Sequence, residues 1–355
     1  MRYIKHFSNT LLALFLSLGI LNAQSKSETI AKLDSMMDDL EANNELMGTL
    51  TISRNGQVVY DRQVGFANID QGNKIGPTTL MKIGSNTKVF TAVMVFQLID
   101  EGKLSLDTKL SRFHPKVKNA DQITISQLLS HRSGIFNMTA DEAFEEYRVS
   151  GLTADQQLQK IAAYPSVFEP GSQYEYSNTN YILLSHIIEK ITSKSYGQNL
   201  ADRITVPLGL AHTAYGPDAG IMEKTASGYY YEDGWNEITT TSMNLPRGAG
   251  AIVSTSTELN IFFRALMQGK LVSKNSLSKM TEFRDGRGRG INDFVVPPSI
   301  TTEKGVSHGG QIDGFLAQPI YFIDMDVALT FISNGLNCDP QKLTALLATY
   351  LKNPF

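Results

Sequence analysis

Apolar and polar positions divide this chain into an apolar leader, two strand-rich ends and a long helical middle. Leu11–Leu21 is almost wholly apolar and follows Arg2 and Lys5, while Leu21-Asn-Ala23 offers a small residue for cleavage before Gln24. That order predicts a signal peptide over 1–23 rather than part of the fold. Spanning a bilayer takes roughly 20 apolar residues, and this run is shorter. Glu28–Leu46 has helical periodicity with many acidic positions. Thr49–Ser53 and Gln57–Tyr60 are strand-like and flank Arg54-Asn55-Gly56, where Asn-Gly suits the φ > 0 values of a tight hairpin turn. From Thr87 to Glu101 apolar residues recur on every face, Val89, Phe90, Val93, Met94 and Leu98 among them. Such a helix belongs in the middle of a protein, with Gly102 as its stop.

From about Leu104 to Leu245 the pattern reads as helices and long loops, most apolar at Ile123–Leu129 and Tyr181–Ile188. Strand signals return at Phe315–Phe322 and Val327–Ser333, joined across Ile323–Asp326, and Gln341–Leu351 reads as a closing helix. Strands at both ends with helices between predict an α/β protein of the α+β type. Its antiparallel sheet would come from N- and C-terminal strands flanked by helices, with a mainly helical inserted subdomain. The expected division of 24–355 is a sheet region of about 24–103 and 246–355 with an insertion of about 104–245. A small-molecule cleft is expected between the two regions.

Composition narrows the function classes. A net charge of −3 and a pI near 6.1 give no broad basic field for nucleic acid. The basic stretch Arg284–Arg289 reads as a solvated loop, the other reading being a place near a substrate carboxylate. A single cysteine, Cys338, excludes an intramolecular disulfide, and its position near the far end excludes lipid attachment at the leader. The protein is expected to be exported, periplasmic or secreted, with no stable membrane span after cleavage. The histidines, at 6, 114, 131, 186, 212 and 308, are scattered, so neither a metal site nor a cofactor is expected.

Three motifs carry candidate chemistry. Ser85-Asn-Thr-Lys88 opens the buried helix, and i, i+3 spacing sets the Lys88 amine beside the Ser85 hydroxyl. Burial lowers an amine's pKa and lets it take or relay the serine proton. A second Ser-x-x-Lys, Ser276-Leu-Ser-Lys279, sits in a polar stretch read as exposed and is given no role. Tyr176-Ser-Asn178 follows the turn Phe168-Glu-Pro-Gly171, which places it on a loop. A tyrosinate there could serve as general base and Asn178 could bind a substrate amide, or the segment is a polar surface turn. His308-Gly309-Gly310 is Gly-rich as an approached strand would be, or is a turn into the strand at Phe315. Gly305-Val-Ser307-His-Gly309 imitates a nucleophile elbow, but no suitable histidine follows Ser307 to complete a triad in chain order. His131 reads as a structural hydrogen-bonding residue. The aromatics Tyr229–Tyr231 and Trp235 read as packing, a lid or a cleft lining.

Together the three motifs, in this order and separation, resemble the serine β-lactamase and penicillin-binding-protein superfamily, in particular the class C β-lactamase-related branch with its DD-peptidases, D-aminopeptidases and esterases. Leu128–Gly134, the Phe168–Asn178 run and Gly248–Ser254 add to the likeness, which covers about residue 45 to the C-terminus. The resemblance implies Ser85 as acylated nucleophile, Lys88 as proton shuttle and Tyr176 as general base. It implies Asn178, His308, Gly309, Gly310 and Gln311 at the substrate, with the amides of Ser85 and Gln311 as oxyanion donors. The chain departs from the β-lactamase pattern with His308 where lysine is usual and Gly309 where a hydroxyl residue is usual, which weakens the grip on a β-lactam carboxylate. The reading is an exported serine hydrolase acting through an acyl-enzyme on a peptide, amide or ester, with peptidoglycan as a candidate source. The alternatives are a silent penicillin-fold binding or sensor protein and a weak β-lactamase.

Overall fold

A computed structural model describes residues 26–352; the leader at 1–23 lies outside the described residues. Helix α1 (26–42) leads into β1 (Leu46–Arg54), so the helix ends before Leu46, which is the first residue of a strand. The turn to β2 (Gln57–Val64) has Asn55 at φ 52° and Gly56 at φ 78°, the left-handed values expected of Asn-Gly. Near the far end come β3 (Asn292–Phe294), β4 (Gly305–Ser307), β5 (Gly310–Ile312), β6 (Phe315–Phe322) and β7 (Val327–Leu336). The main sheet runs β3-β4-β6-β7-β1-β2 with antiparallel neighbours, and β5 pairs β6.

β1 is buried along nearly its whole length because both of its faces are covered. Leu50 and Ile52 pack in one cluster with Leu33 and Met37 of α1 and Leu346 and Tyr350 of the closing helix (Pro340–Lys352). Thr49 and Thr51 alternate to the other face, where both hydroxyls meet Ser256 Oγ, at 3.1 and 2.6 Å. That serine opens the helix Ser256–Met267. Behind it lies α2 (Thr87–Asp100), in which every residue from Thr87 to Phe96 is buried, and Phe90 stacks on Phe262 with ring centroids 3.7 Å apart.

The end of α2 overturns one expectation. Asp100 accepts from the amide of Ser273 at 2.8 Å and from Ser276 Oγ at 2.7 Å, so Ser276 is buried at the α2 terminus instead of exposed. The hairpin Tyr229–Tyr231/Trp235–Glu237 joins the main sheet at Gly335, so the chain touches the sheet again before residue 246. Trp235 covers Gly335 and borders a surface pocket with Met47 and Tyr231, away from the motifs at Ser85 and Tyr176. Among the described residues no helix is long and apolar enough to cross a membrane.

Candidate active site

Ser85 sits in a 3-10 turn, Gly84–Asn86, immediately before α2 rather than in its first turn. Two glycines explain the offset. Gly84 has φ 50°, and a Cβ there would lie 2.8 Å from the Gln311 amide nitrogen; one on Gly310 would lie 2.0 Å from the Ile83 carbonyl oxygen. The serine turn and β5 therefore meet backbone to backbone, an approach that only glycine permits. Asn86 ties them further, its Nδ2 donating to Ile83 O at 3.2 Å and Ala317 O at 3.0 Å. The β5–β6 connection is the two-residue turn Asp313-Gly314, both at positive φ, which makes Ile312 and Phe315 a hydrogen-bonded pair. Alternation along the ladder then turns the N–H of Gln311 away from β6, toward the serine turn.

Lys88 and Tyr176 converge on the same hydroxyl. Lys88 Nζ lies 3.0 Å from Ser85 Oγ, 2.9 Å from Asn178 Oδ1 and 2.7 Å from the Ala249 carbonyl. Its side chain is fully buried, and burial holds its pKa well below the usual lysine value with no carboxylate to offset it. A neutral amine fits these partners: two N–H bonds go to Asn178 and Ala249, and the lone pair faces the Ser85 hydroxyl. The Tyr176 hydroxyl donates to Ser85 Oγ at 2.8 Å. Burial pushes Tyr176 up to about 12, against the opposing effect of its bond to Ser85. The resting site thus holds a phenol, not the expected tyrosinate, because no cation close by outweighs desolvation.

Asn178 is the first residue of the helix Asn178–Thr192 rather than part of a loop. Lys88 occupies its Oδ1, and its Nδ2 reaches Thr139 Oγ1 at 3.2 Å. Sequence reasoning missed one group and gave another, the structural hydrogen-bonding His131, its role without its place. The Ala249 carbonyl is backbone and carries no residue signature. His131 was visible in sequence, but its place was not. Its ring lies 4.4 Å from that of Tyr176 and 5.2 Å from that of Tyr181, and Nδ1 accepts from the Ser177 amide at 3.2 Å. His131 therefore holds the Tyr176 segment from behind, at a φ of 55°.

His308 is buried, with Nδ1 2.8 Å from the Gly309 carbonyl, and burial above all pushes it down to about 4. It is neutral at pH 7. Gly309 is exposed beside Gln318, whereas Ser307 is buried in β4 and donates to the Pro319 carbonyl at 2.5 Å. The imitation nucleophile elbow is thus a strand residue with its hydroxyl already committed. A cavity of about 360 Å³ opens at Ser85, Asn178 and Gln311 and is walled by Phe144, Ile182 and Leu245. The structure brings Ser85, Lys88, Tyr176, Asn178 and Gln311 together, and leaves His308 behind the surface. Among the described residues no three His, Cys, Asp or Glu side chains gather as metal ligands. Burial raises the Cys338 thiol, which lies beside Glu45 and Lys342.

The Beta-lactamase family model matches residues 33–349 of this chain. Protein flp of Staphylococcus aureus (strain MW2) is 31% identical over 236 residues, 64% of this chain and 46% of the relative. The chain thus spans about half of that relative's length. Teichoic acid D-alanine hydrolase of Staphylococcus aureus is 27% identical over 250 residues, 70% of this chain and 60% of the relative. The crystal structure of D-amino acid amidase from Ochrobactrum anthropi SV3 superposes with a TM-score of 0.79 at 24% identity, covering 92% of this chain and 98% of the other. That superposition shows a shared mixed fold, an antiparallel sheet with helices.

Proposed function

Because this chain belongs to the Beta-lactamase family, we propose that it is a serine hydrolase acting through an acyl-enzyme at Ser85 on an amide or ester of a D-amino acid. One observation carries the reading: the Ser85 hydroxyl lies between a buried amine without a counter-ion and a buried phenol. The similarity to a D-alanine hydrolase supports the substrate class. Ser85 Oγ attacks the carbonyl carbon as its proton passes to the Lys88 lone pair. The oxyanion forms against the amides of Ser85 and Gln311. As the tetrahedral intermediate collapses, the bond to the leaving group breaks and Tyr176 protonates the departing nitrogen or oxygen. The Lys88 ammonium then restores the phenol proton. Water releases the acyl group by the same steps in reverse.

The neutral His308 favours a peptidase or esterase over an efficient β-lactamase, since it supplies no cation for a β-lactam carboxylate. Export on the apolar run at 11–21 would put cell-wall peptides and esters within reach of the site. The test is labelling with a fluorophosphonate or fluorescent penicillin, followed by peptide mass mapping. The adduct is expected on Ser85; its absence, or labelling that survives Ser85→Ala, removes the proposal.

A further inference from the structure

A second cavity, about 390 Å³, opens beside Tyr174 and is lined by four arginines against a single carboxylate. That carboxylate, Glu282, is taken by Arg289 at 2.9 Å, and Arg289 also binds Ser126 Oγ at 3.1 Å. Arg132, Arg284 and Arg287 have no ion pair among the described residues. The backbones of Arg284 and Arg287 exchange two hydrogen bonds, at 2.9 and 3.1 Å, across the two-residue turn Asp285-Gly286, both at positive φ. Residues directly opposite in such a turn project their side chains to one face, and like charges placed so repel. The Arg287 guanidinium carbon lies over the Tyr174 ring, 4.2 Å from its centroid, a cation–π contact that uses none of its N–H donors on a carboxylate. Arg132 is held alongside by the backbone bonds Gly171 N to Arg132 O at 2.7 Å and Glu175 N to His131 O at 3.0 Å.

The cluster adjoins the reaction centre. Tyr174 and Tyr176 share one short segment, and both rings contact His131, at 6.1 and 4.4 Å. Tyr176 is the proposed proton donor to the leaving group, and Tyr174, two residues before it, carries Arg287 over its ring. We propose that Arg132, Arg284 and Arg287 form a subsite for an oxyanion, a carboxylate or a phosphate, carried by the leaving-group half of the substrate. Planar guanidinium forks match either anion in bidentate geometry. The apolar cavity walled by Phe144, Ile182 and Leu245 then takes the acyl half. The inference rests on the acyl-enzyme reading of Ser85 for which half is bound, but not for the anion site itself.

The experiment uses D-alanyl esters of one phenol scaffold bearing a carboxylate, a phosphate or a neutral carboxamide. The ratio of kcat/KM for each anionic ester over the neutral one is measured in the parent protein and its variants. The ratio is expected to fall roughly 10-fold in Arg287→Ala and roughly 100-fold in Arg132→Ala/Arg287→Ala. Arg287→Lys keeps the charge but loses the fork and its stacking on Tyr174, so its ratio should fall between those of the parent and Arg287→Ala. The anion whose ratio falls further identifies the substrate's own group, and an unchanged ratio for both overturns the proposal. Benzoate and inorganic phosphate are also titrated into Ser85→Ala protein, with and without the two arginine substitutions. Binding that survives the loss of both arginines overturns the subsite. Ester turnover absent from the parent protein instead overturns the acyl-enzyme reading, and with it the assignment to the leaving group.

Discussion

Lys82 and Lys88 stand on either side of the Ser85 turn, and both are buried to within 1% of full burial. Lys82 Nζ meets Asp313 Oδ2 at 2.7 Å, and the same carboxylate accepts from the amide and hydroxyl of Thr241. Burial lowers the Lys82 pKa while Asp313 opposes the shift; at Lys88 nothing opposes it. Asp313 is also the first turn residue of the β5–β6 hairpin, so its bond to Lys82 pins the strand that carries Gln311 against the segment that leads into Ser85. One amine holds the site together as half of an ion pair, and the other has its charged form disfavoured by burial, as the proposed proton transfer requires. Burial is common to both; the presence or absence of a counter-ion separates their roles.

The comparison breaks most sharply at Lys88. Lys88→Met fills the same space without the amine, so acylation should fall by roughly 10⁴-fold while stability to urea is kept. Normal single-turnover acylation in that variant would end the assignment. Asp313→Ala should do the opposite, lowering unfolding free energy by about 3–5 kcal/mol because it strands a buried cation. Lys82→Met/Asp313→Leu should recover most of that loss in the same urea titration. If the single Asp313 variant is as stable as the parent, the two lysines do not differ as argued.

Tyr176→Phe keeps the ring against His131 but removes the phenol, and acylation should slow by roughly 10²–10³-fold with substrate binding little changed. His308→Ala, at a buried position behind the surface, should change the acylation step far less. Native acylation in the tyrosine variant alongside a dead histidine variant would make histidine the base. The smallest effect is in the pH profile. The active form has Lys88 neutral, so kcat/KM should rise as pH climbs through its depressed pKa. It should then stay level until the Tyr176 phenol ionises at about 12. His308, at about 4, should add no limb in the roughly pH 6–7 range usual for histidine. An acid limb in that range that disappears in His308→Ala would contradict this.

The parts of the molecule legible in sequence were those set by local pattern. The all-round apolar run of α2, the Asn55-Gly56 turn and the pairing of Phe315–Phe322 with Val327–Ser333 each follow from periodicity or turn chemistry. The meeting of Ser85, Lys88 and Tyr176 was legible through their motifs taken jointly. Other features depended on contacts between residues far apart in the chain. Ser276 looks polar and exposed until Asp100 is seen across from it, and nothing local marks Asp313 as the partner of Lys82. The protonation states were hidden for the same reason, since they depend on how much protein surrounds each group. The Arg284–Arg289 stretch reads in sequence as a solvated loop or a place near a substrate carboxylate, and its company with Arg132 comes only from the fold.

The strand pairing has a consequence for how the protein comes to be active. β1 lies against β7, with Leu46 opposite Leu336, so the centre of the sheet joins the two ends of the chain. Pairings so distant in sequence make folding slow, because a very large loop must close before they are rewarded. A nascent chain has α2 and its serine long before it has β5, and Gln311 cannot approach Gly84 until β6 and β7 exist to hold it. The serine turn is therefore made early and the strand that meets it late, so the proposed oxyanion site is complete only once the last strand is in place.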